Sequence, residues 1–154
     1  MDKKYENELV IEINQQLVDE YNAEYFKKYK NRRKPAIDSP LPLSLNKILV
    51  MRRPQMNDTK QKYKDFMIWV CEKQGINNLR ISDCEIYLEF VVHNRAKKDL
   101  DNYIGGWKMF SDGMTVKDGA GVIEDDNFFV VKKLSSTIRY EKGIKKTIVH
   151  IYYN

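Results

Sequence analysis

Apolar and polar positions alternate one for one along residues 84–92. Period-two alternation over this length predicts a β-strand with one buried face. The apolar positions of that face are Cys84, Ile86, Leu88, Phe90 and Val92. The predicted strand leads the chain to His93 and then into a segment rich in charge, so it is placed to hold that segment in a fixed position.

Residues 6–30 carry apolar side chains at helical spacing, with charges between them, and this pattern predicts an amphipathic helix. The early run Leu-Val-Ile-Glu-Ile is also compatible with a short strand. Its aromatic residues, among them Tyr21 and Tyr25, are interpreted as a packing face. Residues 30–42 then form a basic, proline-containing boundary that opposes regular structure.

Residues 43–50 look like a strand or turn that enters the core, ended by Arg52, Arg53 and Pro54. A helix capped by Asp58 or Thr59 is expected to follow. It runs to about Gln74 and stops at Gly75. Its predicted buried residues are Tyr63, Phe66, Met67 and Val70.

A further helix is predicted from Asn102 to about Val116. Ile104, Trp107, Phe110 and Met114 form its apolar face. Gly105 and Gly106 weaken its first turn by up to about 1 kcal/mol each relative to alanine. The pair suggests close approach by another element or by a ligand, and a frayed helix start is the alternative.

Residues 128–139 and 144–153 are rich in β-formers and flank Glu141-Lys142-Gly143, which predicts a hairpin. The predicted order is helix, strand, helix, strand, helix, strand, strand. This order indicates an α+β fold with one mixed sheet and flanking helices, plus an N-terminal helical extension. Residues 1–40 are assigned to that helix and its basic linker, and residues 41–154 to the main domain.

Composition changes this picture in two ways. The net charge of +5 over 154 residues favours polyanionic partners. The two cysteines have no metal-binding spacing, and no apolar run approaches the ~20 residues of a membrane span. The sequence is therefore interpreted as a cytoplasmic protein without a membrane segment.

Asp99 and Asp101 directly follow a basic cluster. In an extended segment, residues two apart point the same way, so both carboxylates would face one point. The acidic run 124–126 comes after the predicted helix and could return a third carboxylate there. Oxygen-only ligands suit Mg²⁺ or Mn²⁺, and a hard metal beside basic residues suggests phosphodiester chemistry. The alternative is that Asp-Leu-Asp-Asn is a loop with a helix N-cap.

Several motifs in order resemble those of the RusA-like Holliday junction resolvases, small endodeoxyribonucleases of phages and prophages. The central motif is Asp99-Leu100-Asp101-Asn102. It is followed by Lys108, by Asp112-Gly113-Met114, and by Gly121-Val122-Ile123-Glu124-Asp125-Asp126-Asn127. Ser44-Leu45-Asn46-Lys47 is a weaker match. The resemblance spans roughly residues 41–153.

The resemblance implies a RusA-like mixed α/β fold, a homodimer, dependence on Mg²⁺ (with Mn²⁺ able to substitute) and paired nicking of four-way DNA junctions. Asp99, Asp101 and Asp126 match the catalytic, metal-binding carboxylates. Many members carry a lysine one turn after the Asp-Asn pair, where this chain has Gly105. Lys108 resembles the lysine of a branch with longer spacing. Asp125, Asn102 and Asp112 are candidates for a supporting role.

Basic residues near these carboxylates are expected to hold the phosphates of DNA, and their binding should be sensitive to salt. They are Arg95, Lys97 and Lys98, with Lys47, Arg52 and Arg53 as weaker candidates. Two alternatives stay open: a nuclease acting on other branched DNA, such as flaps or forks, and a junction-binding protein without catalysis.

Overall fold

The structure, a computed structural model, describes residues 5–96 and 98–154. It contains strands and helices in the order β1 (Asn7–Asn14), α1 (Gln15–Lys28), α2 (Leu45–Leu49), α3 (Arg53–Lys73), β2 (Cys84–Val92), α4 (Leu100–Asp112), β3 (Val131–Tyr140) and β4 (Lys146–Tyr153). The architecture is α+β, with one open mixed sheet and flanking helices. Among the described residues, no helix is long and apolar enough to cross a membrane.

The four strands lie in the order β1-β4-β2-β3. The central strand β2 pairs antiparallel with β4 and parallel with β3, while β1 pairs antiparallel with β4. The prediction of strand β2 is confirmed, and its alternating side chains are buried. The inner face of the sheet packs on α1, α3 and α4 through residues such as Val18, Phe66 and Phe110.

The predicted hairpin between the last two strands is wrong, because β2 lies between β3 and β4. The loop that joins them crosses the end of β2, where the Glu141 N–H donates to the Val92 carbonyl at 3.0 Å. Val91 is fully buried in addition to the alternating face of β2. Both edges of β2 are paired, one with β3 and the other with β4.

The helix predicted from residue 6 begins only at Gln15, and residues 7–14 form β1. Ile11 and Ile13 are fully buried on β1, so the N-terminal segment contributes to the same core as the rest of the sheet. The change of structure occurs at Asn14. Its side chain accepts a hydrogen bond from the Leu17 N–H at 3.0 Å and caps α1.

Residues 45–49 form the short helix α2 rather than a strand. The hydroxyl of Ser44 accepts from the Lys47 N–H at 3.3 Å, which caps the helix. Helix α3 starts at Arg53, earlier than the predicted caps at Asp58 or Thr59, because Pro54 is accommodated in its first turn. Gly75 follows its end with φ of 71° and provides the predicted stop. The predicted burial of Tyr63, Phe66, Met67 and Val70 is confirmed.

Helix α4 spans Leu100–Asp112, shorter at its C-terminus than the predicted 102–116. The glycine pair in it is explained by close approach of the chain before α2. A Cβ on Gly106 would lie 1.8 Å from the Leu43 carbonyl oxygen, and one on Gly105 would lie 3.0 Å from Leu45 Cδ1. The expectation of close approach by another element is thus confirmed, and it fixes α4 against residues 43–45.

Candidate functional site

Lys108 lies at the centre of a charged cluster on α4. Its Nζ is 3.0 Å from Asp112 Oδ1, one helical turn along the same face. The same ammonium also donates to Asp126 Oδ2 from the loop between α4 and β3. One cation therefore joins two carboxylates that come from different elements.

The charges in this cluster shift one another. Partial burial alone raises the pKa of Asp126, but the hydrogen bond and charge of Lys108 outweigh it and lower the pKa of the carboxyl below its usual value. Burial similarly lowers the pKa of Lys108, and the bonds to Asp126 and Asp112 raise it overall. Asp126 is thus held ionised, and the Lys108 side chain, which is 62% exposed, remains within reach of solvent.

The loop that carries Asp126 is held by main-chain and side-chain hydrogen bonds. The Glu124 N–H donates to the Ile81 carbonyl at 2.8 Å, which attaches the loop to the segment before β2. Asp125 Oδ1 accepts from the Asp126 N–H at 2.7 Å, and its other oxygen accepts from Asn127 Nδ2 at 3.1 Å. Asp125 therefore supports the loop conformation that directs Asp126 toward α4.

A cavity of about 250 Å³ opens beside the cluster, between α4 and the strands β2 and β3. Lys108 and Asp126 provide its charged rim. Its other lining residues are Ile86, Ile104, Trp107, Ser111, Ile123, Val131 and Leu134. The charged groups thus border a largely apolar recess, where water competes less well for their charge.

Asp99 and Asp101 lie at the other end of α4. Asp99 is the N-cap residue, and Asp101 is exposed in the first turn. We predicted that both residues lie in an extended segment and that their carboxylates therefore face one point. This prediction is wrong, because Asp101 is helical, and successive helical residues turn by about 100°. The alternative N-cap position is the observed one, although within the described chain no backbone N–H bonds to the Asp99 carboxylate as a cap.

Asp101 and Lys108 are seven positions apart, so they share a face of α4 about 10 Å apart along its axis. Among the residues that the structure describes, no group of three or more Asp, Glu, His or Cys side chains is arranged to hold a metal ion. The donor chemistry nevertheless suits a hard cation, since Asp112 and Asp126 already share the Lys108 ammonium. Asn102 is half-buried in the first turn of α4, and its N–H donates to the Asp99 carbonyl at 3.1 Å.

The basic residues ahead of α4 occupy the loop after β2. The Arg95 guanidinium stacks 4.8 Å from the centre of the Tyr140 ring and is exposed. Lys98 Nζ donates to Asn94 Oδ1 at 2.9 Å and so closes the loop on itself. Lys97 lies outside the described residues. Arg95 is therefore the better placed of the two described residues to meet a phosphate.

The weaker basic candidates lie apart from this loop. Lys47 is exposed on α2, Arg52 is the N-cap of α3, and Arg53 is its first residue. Helix α2 packs on α4 through Leu45 and Gly105, so Lys47 lies on an element that contacts the N-terminal half of α4. All three basic residues are exposed.

The sequence reasoning missed two features of the site. Asp112 was expected at most to support the site, yet it shares Lys108 directly with Asp126. Phe128 was assigned to a strand, but it lies with Phe129 in an exposed turn before β3. Asn127 in front of the pair is a turn signal that could have indicated the later strand start.

No protein-family model matches this chain, and no curated protein matches it by sequence.

Proposed function

We propose that this protein is a Mg²⁺-dependent, structure-selective endodeoxyribonuclease that resolves four-way DNA junctions by paired symmetric nicks. The observation that supports the proposal best is the contact of Lys108 with Asp126. It brings the acidic loop of the RusA-like pattern onto the helix that carries Asp101 and the lysine. The basic loop at Arg95 and the net charge of +5 add the electrostatics that DNA binding needs.

Following the RusA-like pattern, Asp99, Asp101 and Asp126 would hold Mg²⁺, or Mn²⁺ in its place, once Asp126 moves from Lys108, two turns further along α4, toward Asp101. The bound ion would supply an activated water and polarise the scissile phosphate. Lys108 would stabilise negative charge that develops on the phosphate, since its ammonium is solvent-accessible and anchored by Asp112. Asp125 would hold the Asp126 loop, and Asn102 would support the first turn of α4.

Binding of the DNA backbone falls to Arg95, Lys97 and Lys98, with Lys47 on α2 and Arg52 and Arg53 at the start of α3 as weaker contributors. Phosphate contacts of this kind position the substrate without reading its base sequence. A homodimer would present two identical sites to a four-way junction, which itself has two symmetric cutting positions. Dimerisation is therefore part of the proposal.

The decisive experiment compares the wild type with Asp101→Asn on a synthetic mobile four-way junction, in Mg²⁺ and in EDTA. Asn keeps the shape of the side chain but removes the charge that a metal ion requires. Asp19→Asn is the matched control, since it removes an equivalent exposed charge from α1. Paired symmetric nicks that require Mg²⁺, that disappear in Asp101→Asn and that persist in the control are the expected result.

Two other results would redirect the proposal. Preferential cutting of flaps or forks would keep the chemistry and change the substrate to other branched DNA. Metal-independent binding without cleavage would identify a catalytically inactive junction-binding protein. One observation favours that second candidate: Leu45 packs against Gly105, where many RusA-like proteins have a lysine.

A further inference from the structure

Phe128 and Phe129 expose 73% and 68% of their surface, although large aromatic side chains usually contribute to cores. Three other phenylalanines, Phe66, Phe90 and Phe110, are fully buried. The exposed rings stack on each other with centroids 4.3 Å apart and an angle of 29° between their planes. The chain thus presents a small aromatic surface to solvent.

The turn under this aromatic pair is firmly held. Asn127 Oδ1 accepts from the Phe129 N–H at 3.0 Å, and the Asn127 carbonyl accepts from the Val131 N–H at 2.8 Å. Val130 is buried, and its carbonyl accepts from the Cys84 N–H at 2.8 Å. The exposed rings therefore project from a turn that is anchored to the first residue of β2.

The same turn connects the aromatic pair to the proposed catalytic site. Asp126 lies two residues before Phe128, and Asn127 bonds both to Asp125 and to the Phe129 N–H. One short hydrogen-bonded segment thus sets the positions of the Asp126 carboxylate and of the two rings.

The surroundings of the pair favour a flat, charged ligand over a protein partner. Asp125 and Asp126 precede the two rings, and the exposed residues Lys132 and Lys133 follow them closely. A stable protein interface usually requires about 800 Å² from each partner, with an apolar centre. The surface of two rings between charged groups is too small to form such a protein interface. The rings match nucleotides, whose bases offer a π-face to aromatic side chains and whose phosphates can pair with lysines.

We propose that Phe128 and Phe129 stack on nucleobases exposed at the branch point of the DNA, next to the phosphate positioned at Asp126. This inference rests on the proposed nuclease function and adds the part of the substrate that the aromatic pair recognises. Paired duplex arms expose few base faces, so the contact selects unstacked bases. Lys132, whose ammonium donates to the Phe129 carbonyl, would meet a phosphate of the same DNA strand, whereas Lys133 points to the opposite face of β3.

The test uses a four-way junction with 2-aminopurine at the branch, in EDTA so that no cleavage occurs. Because stacking changes 2-aminopurine fluorescence, the signal reports the contact itself. The double variant Phe128→Leu/Phe129→Leu keeps apolar side chains but lacks ring faces, and Phe128→Tyr/Phe129→Tyr keeps them. Leu49→Ala/Val50→Ala is the control, since these residues are similarly exposed, at 71% and 81%, away from the turn.

We expect the leucine variant to lose the fluorescence change and to bind the junction about tenfold more weakly, while the tyrosine variant and the control resemble the wild type. Binding to uninterrupted duplex should change little in any variant. A leucine variant that keeps the fluorescence change and the affinity would overturn the stacking proposal alone, provided that the wild type cuts the junction. A wild type that binds no branched or single-stranded DNA would overturn both proposals.

A further outcome separates a protein partner from DNA. If the leucine variant binds the junction normally but changes the sedimentation of the protein without DNA, the pair contacts a second copy of the chain. That result would also overturn the stacking proposal.

Discussion

The ammonium of Lys108 donates to the carboxylate of Asp126, eighteen residues further along the chain. This contact joins the second half of α4 to the loop that precedes β3. Because Lys108 also bonds to Asp112, one cation pairs with two carboxylates, of which Asp126 lies at the rim of the cavity. A metal ion that binds Asp126 would therefore meet an oxygen already engaged by a cation.

Replacing Lys108 with methionine should tighten Mn²⁺ binding several-fold, since the ammonium would no longer compete for Asp126. Under the proposed function, the same change should slow junction cleavage by roughly 100-fold, because a charge near the phosphate is lost. Calorimetric titration with Mn²⁺ and single-turnover cleavage measure the two effects. Lys117→Met is the control, as an exposed lysine in the turn after α4. Unchanged Mn²⁺ affinity in Lys108→Met would refute the idea that the Lys108 ammonium competes with the metal ion for Asp126.

Gly106→Ala should destabilise the protein by about 3 kcal/mol, because the new Cβ would overlap the Leu43 carbonyl oxygen, only 1.8 Å away. Gly105→Ala should change the free energy of unfolding by no more than about 1 kcal/mol. Its Cβ meets only the Leu45 side chain, which can shift, and alanine favours the helix. Urea unfolding of the two variants side by side measures the difference. Equal changes in the free energy of unfolding would show that residues 42–43 shift to make room for the new Cβ at residue 106.

Ile13→Ala should cost about 2 to 5 kcal/mol of stability, because Ile13 is fully buried on β1. Val10→Ala on the same strand should cost no more than about 0.5 kcal/mol, since Val10 is 48% exposed. Thermal and urea unfolding of both variants measure the contrast. Equally small losses of stability in the two variants would show that β1 contributes little to the stability of the core.

His150 should make stability depend on pH. On β4 its Nδ1 lies 2.8 Å from Glu8 and its Nε2 lies 2.6 Å from Glu89, while Arg139 also pairs with Glu89. Partial burial lowers the pKa of His150, but the bonds to Glu89 and Glu8 raise it overall above the usual 6.5. The rings of Tyr87 and Tyr152 stack on the imidazole, so its other neighbours are uncharged near neutral pH.

The raised pKa fixes the sign of the effect. The charged His150 contributes its full stabilisation, about 1 kcal/mol, below pH 6.5 and loses it as the pH rises through the pKa in the folded protein. His150→Asn should therefore unfold at a lower temperature than the wild type near pH 6, and the difference should shrink near pH 9. Thermal melts across that range test this. A difference that grows with pH would mean that the imidazole is neutral in the fold.

The spacing of apolar residues along the chain predicted the elements that bury one face in the core. The alternation in β2 was sufficient because one face packs inward, and the spacing of Tyr63, Phe66 and Val70 was sufficient for α3. Pattern did not predict the partners of each strand. The last two strands lie close together in sequence, yet β2 lies between them and pairs with both.

The candidate site was also predicted only in part. The acidic run after the helix was expected to return a carboxylate to the point that Asp99 and Asp101 face, whereas Asp126 contacts Lys108, seven residues after Asp101. The predicted orientation of Asp101 was wrong, because the helix begins at Leu100, two residues before its predicted start at Asn102. Tertiary packing decides whether a residue near a helix start is extended or helical. Here the relevant packing is that of Gly106 against Leu43, and a local sequence motif does not contain that contact.

The register of the sheet affects how the nascent chain can fold during synthesis. Asn7 pairs with Tyr153 and Asn14 with Lys146, so β1 leaves the ribosome long before its partner strand β4 has been made. During that time Ile11 and Ile13 have no sheet to join, and their backbone is open to pairing with other chains. Slowing translation should therefore favour aggregation of this protein, and chaperones that shield early β-strands should increase its yield.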